Sequence, residues 1–153
     1  MSAATADRDP RRQPGVLVPY TGASGYKYYK GTLLMKDASA GRVIPVTSLG
    51  SSNSTFLGVV DNRVDLTAGL GSSQDIINTY TKGEFTFLAN GTGTSAHIGQ
   101  QAYALDDQTV GVSMVAPSLR VGLITGLPST TEYRVLIDPA VGGRGVSLAL
   151  NNV

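Results

Sequence analysis

Apolar residues in this chain arrive in short bursts, and glycine, proline, asparagine, aspartate or serine closes off each one. The bursts fall at residues 16–18, 31–37, 42–46, 55–60, 76–81, 84–88, 102–105, 109–112, 120–125 and 132–137. Each has strand length, is rich in β-branched or aromatic residues, and stops at turn-forming residues. Gly, Ser and Thr account for 48 of the 153 residues, and charged residues for only 15%. Long helices need Ala, Leu, Glu, Lys and Arg, so this composition favours strands joined by tight turns. About ten strands in a chain of single-domain length predict a closed barrel or a sandwich.

Local signals refine that expectation. Alternation is clearest over 76–81 and at Phe85 and Phe87 around Thr86, and the Lys82–Gly83 junction between them predicts a tight hairpin. Gly122 and Gly126, within or ending a strand, predict a bulge or a close backbone approach. Residues 95–101 are the one stretch able to form a helical turn, with Ser95 as its cap and Gly99 weakening it. The tail over 139–153 is broken by glycines and then mildly apolar. It predicts either a flexible end or a second partner-binding strand.

The residue inventory removes several kinds of chemistry. With no cysteine, thiol nucleophiles, Cys-based zinc sites and redox dithiols are excluded. One histidine excludes any two-His metal motif. The nucleotide-binding GxGxxG, the phosphate-binding P-loop and the GxSxG elbow are all missing from the sequence. His97 is the only candidate proton shuttle in the sequence, and with no nucleophile elbow near it, a solvated or capping role is expected. Glu84 and Glu132 are the only glutamates, and most of the nine aspartates stand in turn contexts, where they bond the local backbone. Asp61, Asn62 and Asp65 give a fragment of a calcium loop without its full ligand series. Neither a catalytic residue nor a metal or cofactor site is expected.

The charge balance is 12 basic against 11 acidic residues, a net of +1, so no long-range field steers the chain to nucleic acid. No apolar run approaches the ~18 residues of a membrane span, and the first fifteen residues lack the apolar centre of a cleaved secretory signal.

Binding to a partner has more support. Residues 1–14 hold no large apolar side chain after Met1 and cannot offset their own ordering entropy by burial. They are read as an extended arm whose Arg8, Arg11 and Arg12 can make forked contacts with carboxylates. Tyr20, Tyr26, Tyr28 and Tyr29 crowd into ten residues beside Lys27 and Lys30. Core filling explains such a cluster, and so does an amphipathic protein interface or a stacking surface for bases or sugars.

The order of segments carries a further signal. Phe56, Leu57, Gly58 and Val59 are followed by Gly83, Glu84 and Phe85. Then Gly99, Ala102 and Tyr103 run into Asp106, Asp107, Gln108, Thr109 and Val110. Over about residues 16–138 this order resembles the capsid cement, or head-decoration, proteins of tailed bacteriophages. The resemblance implies an all-β chain: a single compact β-barrel or β-tulip-like domain over 15–138, an arm over 1–14 and a tail over 139–153. It further implies a homotrimer, made in the host cytoplasm, that sits on the outer surface of the virion head. There it braces neighbouring major capsid protein subunits, with no activity, cofactor, membrane or direct nucleic-acid partner. The competing expectation is a virion-surface carbohydrate-binding or adhesion module that stacks sugars on Tyr26, Tyr28 and Tyr29.

Overall fold

The computed structural model describes residues 5–7, 17–37, 41–46, 54–69, 75–113, 118–138 and 145–146. Thirteen strands run in chain order: β1 (Leu17–Thr21), β2 (Lys27–Tyr28), β3 (Leu33–Lys36), β4 (Val43–Pro45), β5 (Thr55–Val60), β6 (Val64–Asp65), β7 (Ile76–Tyr80), β8 (Gly83–Ala89), β9 (Gln101–Ala104), β10 (Thr109–Gly111), β11 (Ser118–Ser129), β12 (Glu132–Ile137) and β13 (Gly145–Val146). Among the described residues one 3-10 turn, Ser95–His97, lies between β8 and β9. The all-β expectation is met, and all ten predicted segments contribute strands. The two-residue strands β2 and β6 are too short to leave a periodic signal.

The strands divide between two main sheets. The first has the order β1-β7-β5-β3-β4, and a parallel bridge between Gly22 and Val43 joins its two ends into a closed five-stranded barrel. The second has the order β12-β8-β10-β9-β11-β13, and a further pairing of β12 with β11 closes it as well. In the tail, β13 pairs antiparallel with the start of β11. The small β2–β6 ribbon stands apart from both sheets.

Period-2 alternation distributes the apolar side chains between two cores. Along β3, Leu33 and Met35 enter the larger core, while Leu34 between them enters the smaller. The larger core joins the sheets, since Val59 and Tyr80 of the first meet Phe85, Phe87, Val121 and Val135 of the second. The smaller core is Tyr28, Leu34, Val43, Val60, Leu66 and Ile77, enclosed by the first sheet and the ribbon.

The Lys82–Gly83 hairpin does not form. β7 pairs with β1 and β5, whereas β8 pairs with β12 and β10, so the chain turns a corner between sheets at this junction. Tyr80 and Phe85 sit on either side of the corner with ring centroids 6.1 Å apart, both in the larger core. A hairpin would have set Tyr80 opposite Phe85 as well, so the ladders made elsewhere decide the turn: β8 matches β12 over six pairs and β7 matches β1 over five. The tight two-residue turn lies instead between β11 and β12, at Thr130 and Thr131.

The glycine expectations hold. Register shifts occur between Arg120 and Gly122 and between Ile124 and Gly126. A Cβ on Gly122 would lie 2.0 Å from the Leu136 carbonyl oxygen, so β11 and β12 approach that closely only because the side chain is missing.

Candidate interaction surface

The four clustered tyrosines separate in space. Tyr28 points inward from β2 and is fully buried, so it is no partner-binding residue. Its hydroxyl accepts the Ala23 N–H at 2.7 Å and donates to the Val43 carbonyl at 2.7 Å. Ala23 follows the Gly22 bridge and Val43 belongs to β4, so this hydroxyl bolts the seam where the first sheet closes. Burial pushes the phenol up to about 12; the neutral form is the one that can donate to Val43.

Tyr20 is half-buried against the smaller core, and Tyr26 is half-buried against both cores. Tyr29 remains half-exposed, but its ring is covered by the Arg63 guanidinium, 5.4 Å from the centroid. Strand alternation and the turn after β2 thus break up a cluster that is contiguous only in sequence.

Tyr29 belongs to a charged surface built by the β2–β6 ribbon and its flanks. Lys27 and Asp65 are cross-strand partners with an ion pair of 3.2 Å, and Lys30 reaches Asp61 at 3.9 Å. Arg63 meets Asp7 at 3.7 Å, and the Asp7 carboxylate accepts a long 3.4 Å hydrogen bond from the Lys30 N–H. Asp7 belongs to the described part of the predicted arm, residues 5–7; Arg8, Arg11 and Arg12 lie outside the described residues.

The backbone beneath this surface is firmly held. Thr32 donates its hydroxyl to the Tyr29 carbonyl at 2.7 Å, and the Gly31 N–H donates to Val60 at 2.7 Å. The Asn62 amide grips the edge of β7: Nδ2 donates to the Ile76 carbonyl at 3.0 Å and Oδ1 accepts the Asn78 N–H at 2.7 Å. Beside it opens a shallow, polar cleft of about 860 Å³, lined by Pro19, Asn62, Arg63, Asp75 and Asn78 among others.

The calcium-like residues are each engaged separately. Asp61 faces Lys30, and Asn62 is spent on β7. Asp65 accepts from the Thr67 hydroxyl at 2.6 Å and the Thr67 N–H at 3.0 Å. Those two bonds, with Lys27 adding less, hold the Asp65 carboxyl down at about 2. Among the described residues no group of three His, Asp or Glu side chains is placed to hold a metal.

His97 caps the 3-10 turn. Thr94 is the N-cap in place of Ser95, and the His97 ring nitrogen Nδ1 accepts the Thr94 N–H at 3.4 Å. Nδ1 also lies 2.5 Å from the hydroxyl of buried Tyr133. The two glutamates face outward on the β8–β12 ladder, Glu84 opposite Leu136 and Glu132 opposite Leu88. Four residue steps separate those rungs, about 13 Å. Glu84 accepts from the Thr125 hydroxyl.

This arrangement is suited to recognition through ion pairs and backbone groups. Sequence reasoning missed Asp7, Arg63 and Asp61 as one unit. The pattern of charges alternating with Asn62 and Val64 over 61–65 was visible, but only the ribbon pairing brings it opposite Lys27 and Tyr29. No protein-family model matches the chain, and no curated protein matches its sequence.

Proposed function

We propose that this protein is a structural capsid cement protein that binds the outside of a tailed-bacteriophage head, as a trimer, and braces neighbouring major capsid protein subunits without catalysing a reaction. The observation that carries the reading is the order of segments from Phe56 through Val110. The fold lends it support. A rigid body of two closed sheets, with a charged ribbon surface and an N-terminal segment lying on it, suits a part that works by holding other proteins. A trimer offers three identical contact surfaces at once, so individually weak contacts sum to firm attachment on a lattice of matching spacing.

The carbohydrate-binding alternative has less support from the placement of its three tyrosines. Of Tyr26, Tyr28 and Tyr29, one is buried, one packs on both cores, and the third has its ring covered by Arg63.

The test is to mix purified protein with expanded, decoration-free heads of tailed bacteriophages. Binding in near-saturating numbers with a raised disruption temperature is expected, along with a free-protein mass that relates simply to the stoichiometry on the head. Heads that take up none of the protein overturn the reading.

A further inference from the structure

The contact between Asp7 and the ribbon surface combines a firm seat with a weak occupant. The seat is the Tyr29–Lys30 turn, fixed by Thr32 and Gly31, together with the Arg63 guanidinium resting on the Tyr29 ring. The occupant is one carboxylate, held at 3.7 Å by Arg63 and at 3.4 Å by the Lys30 N–H, on side chains that are 57% and 41% exposed for Arg63 and Asp7. An exposed ion pair of this kind contributes little to stability. Asp7 is therefore not locked in place.

Nine residues separate Asp7 from Leu17 at the start of β1. Ten residue steps span at most about 35 Å, which sets the upper limit on how far Asp7 can lie from β1. When an arm moves from its own body to a neighbour's, it gives up and regains identical contacts. The choice between the two then depends on effective concentration alone, which is what makes element exchange between copies inexpensive.

We propose that the Tyr29–Lys30–Arg63 surface is a carboxylate seat shared between copies of this chain, so that Asp7 of one copy docks on the seat of another when copies are held close. This rests on the seat itself and does not require the capsid reading. It gives the arm's acidic residue a job of its own: Asp7 is the plug, and the cationic socket is on the body.

Two complementary full-length variants test it. Asp7→Asn keeps the seat and loses the plug; Arg63→Gln keeps the plug and loses the socket. Both positions are at the surface, so neither change touches a core. With the Asp7→Asn chain labelled with nitrogen-15, the Lys30 amide resonance reports occupancy. Adding unlabelled Arg63→Gln chain at about millimolar concentration, the range of short-linker effective concentrations, is expected to move that resonance saturably towards its wild-type position. About 0.5 M salt should reverse the movement, because screening shortens to a few ångströms. A Lys30 resonance identical in wild type and Asp7→Asn overturns the seat. A resonance that differs between those two but ignores the Arg63→Gln chain overturns the exchange. So does an equal movement on adding chain that carries both substitutions.

Discussion

The two closed sheets are sealed in different ways. The second closes through backbone: β12 matches β8 over six consecutive pairs and β11 along its other edge, and its inner face fills the larger core. The first closes through one bridge, Gly22 to Val43, and the Tyr28 hydroxyl supplies the two short hydrogen bonds at that seam. One closure is distributed over many rungs; the other is concentrated on a single side chain. The contrast predicts that backbone spacing governs the second sheet and that side-chain chemistry governs the seam of the first.

The largest effect should come from filling the space at Gly122. Its backbone dihedral does not require glycine; the approach of Leu136 does. Gly122→Ala would drive a methyl into a carbonyl oxygen, backbone against backbone, where no rotamer change relieves the overlap. A loss of about 3 kcal/mol or more is expected, at the upper end for overpacking, read as a fall in the denaturant midpoint. If Gly122→Ala unfolds within about 0.5 kcal/mol of wild type, the tight contact between β11 and β12 is not what sets the geometry of the second sheet.

A middle-sized effect separates the two buried tyrosine hydroxyls. Tyr28→Phe leaves the Ala23 N–H with only its 3.3 Å contact to Val43, and leaves that carbonyl without its short donor in a site water does not reach. A cost of about 1–3 kcal/mol follows from buried unsatisfied groups. Tyr133→Phe removes a bond to His97, which is only half-buried, so water replaces the hydroxyl and about 1 kcal/mol is expected. Hydrogen exchange should then quicken at Ala23 in the first variant, with the β8 and β12 amides little changed. Alkali probes the same bolt. The Tyr28 phenol is raised from 10.0 to about 12 in the folded state, so the unfolded chain loses its proton first. Stability contributed by this group is complete below pH 10 and drains away as pH rises towards 12. Tyr28→Phe should flatten that part of the profile. Equal alkaline slopes for wild type and variant would remove the hydroxyl from its role at the seam.

What was legible in the sequence follows the same division. Strands with an apolar face wrote themselves as alternation, as at 84–88 and 132–137, because each inward residue had to be apolar whatever its partner. Gly122 was legible because a missing side chain inside a strand has few causes. Partner choice was not: Lys82–Gly83 has the chemistry of a hairpin turn, and only the distant segments that form β1, β5, β10 and β12 decide that β7 and β8 pair with them and not with each other. The separation of the four tyrosines was hidden for a related reason. Residue spacing places Tyr28 and Tyr29 on opposite faces of a strand, but which face is buried depends on Leu34, Val43 and Ile77 arriving from distant segments. The seat for Asp7 needed three such segments at once.

The smallest effect lies on the exposed face of the ribbon, at the Lys27–Asp65 pair, away from the buried Tyr28. Asp65 owes its lowered pKa of about 2 first to the Thr67 hydroxyl and N–H, with Lys27 adding less. In the unfolded chain the same carboxyl titrates near 3.8. The unfolded state therefore takes up the proton first as pH falls. Stability from this group is complete above about pH 4 and disappears as pH drops through 2. Asp65→Asn should lower stability slightly at pH 6 and remove part of the acid dependence between pH 4 and 2, with the β8 and β12 amides unaffected. Because Thr67 ranks ahead of Lys27 among the causes, Thr67→Val should reproduce more of this change than Lys27→Met. The reverse ranking, with the lysine variant dominating and salt erasing the difference, would make the ribbon an ion-pair device; the expected ranking makes it a turn held by a side-chain cap, on which the charges of Lys27 and Asp65 are a lesser addition.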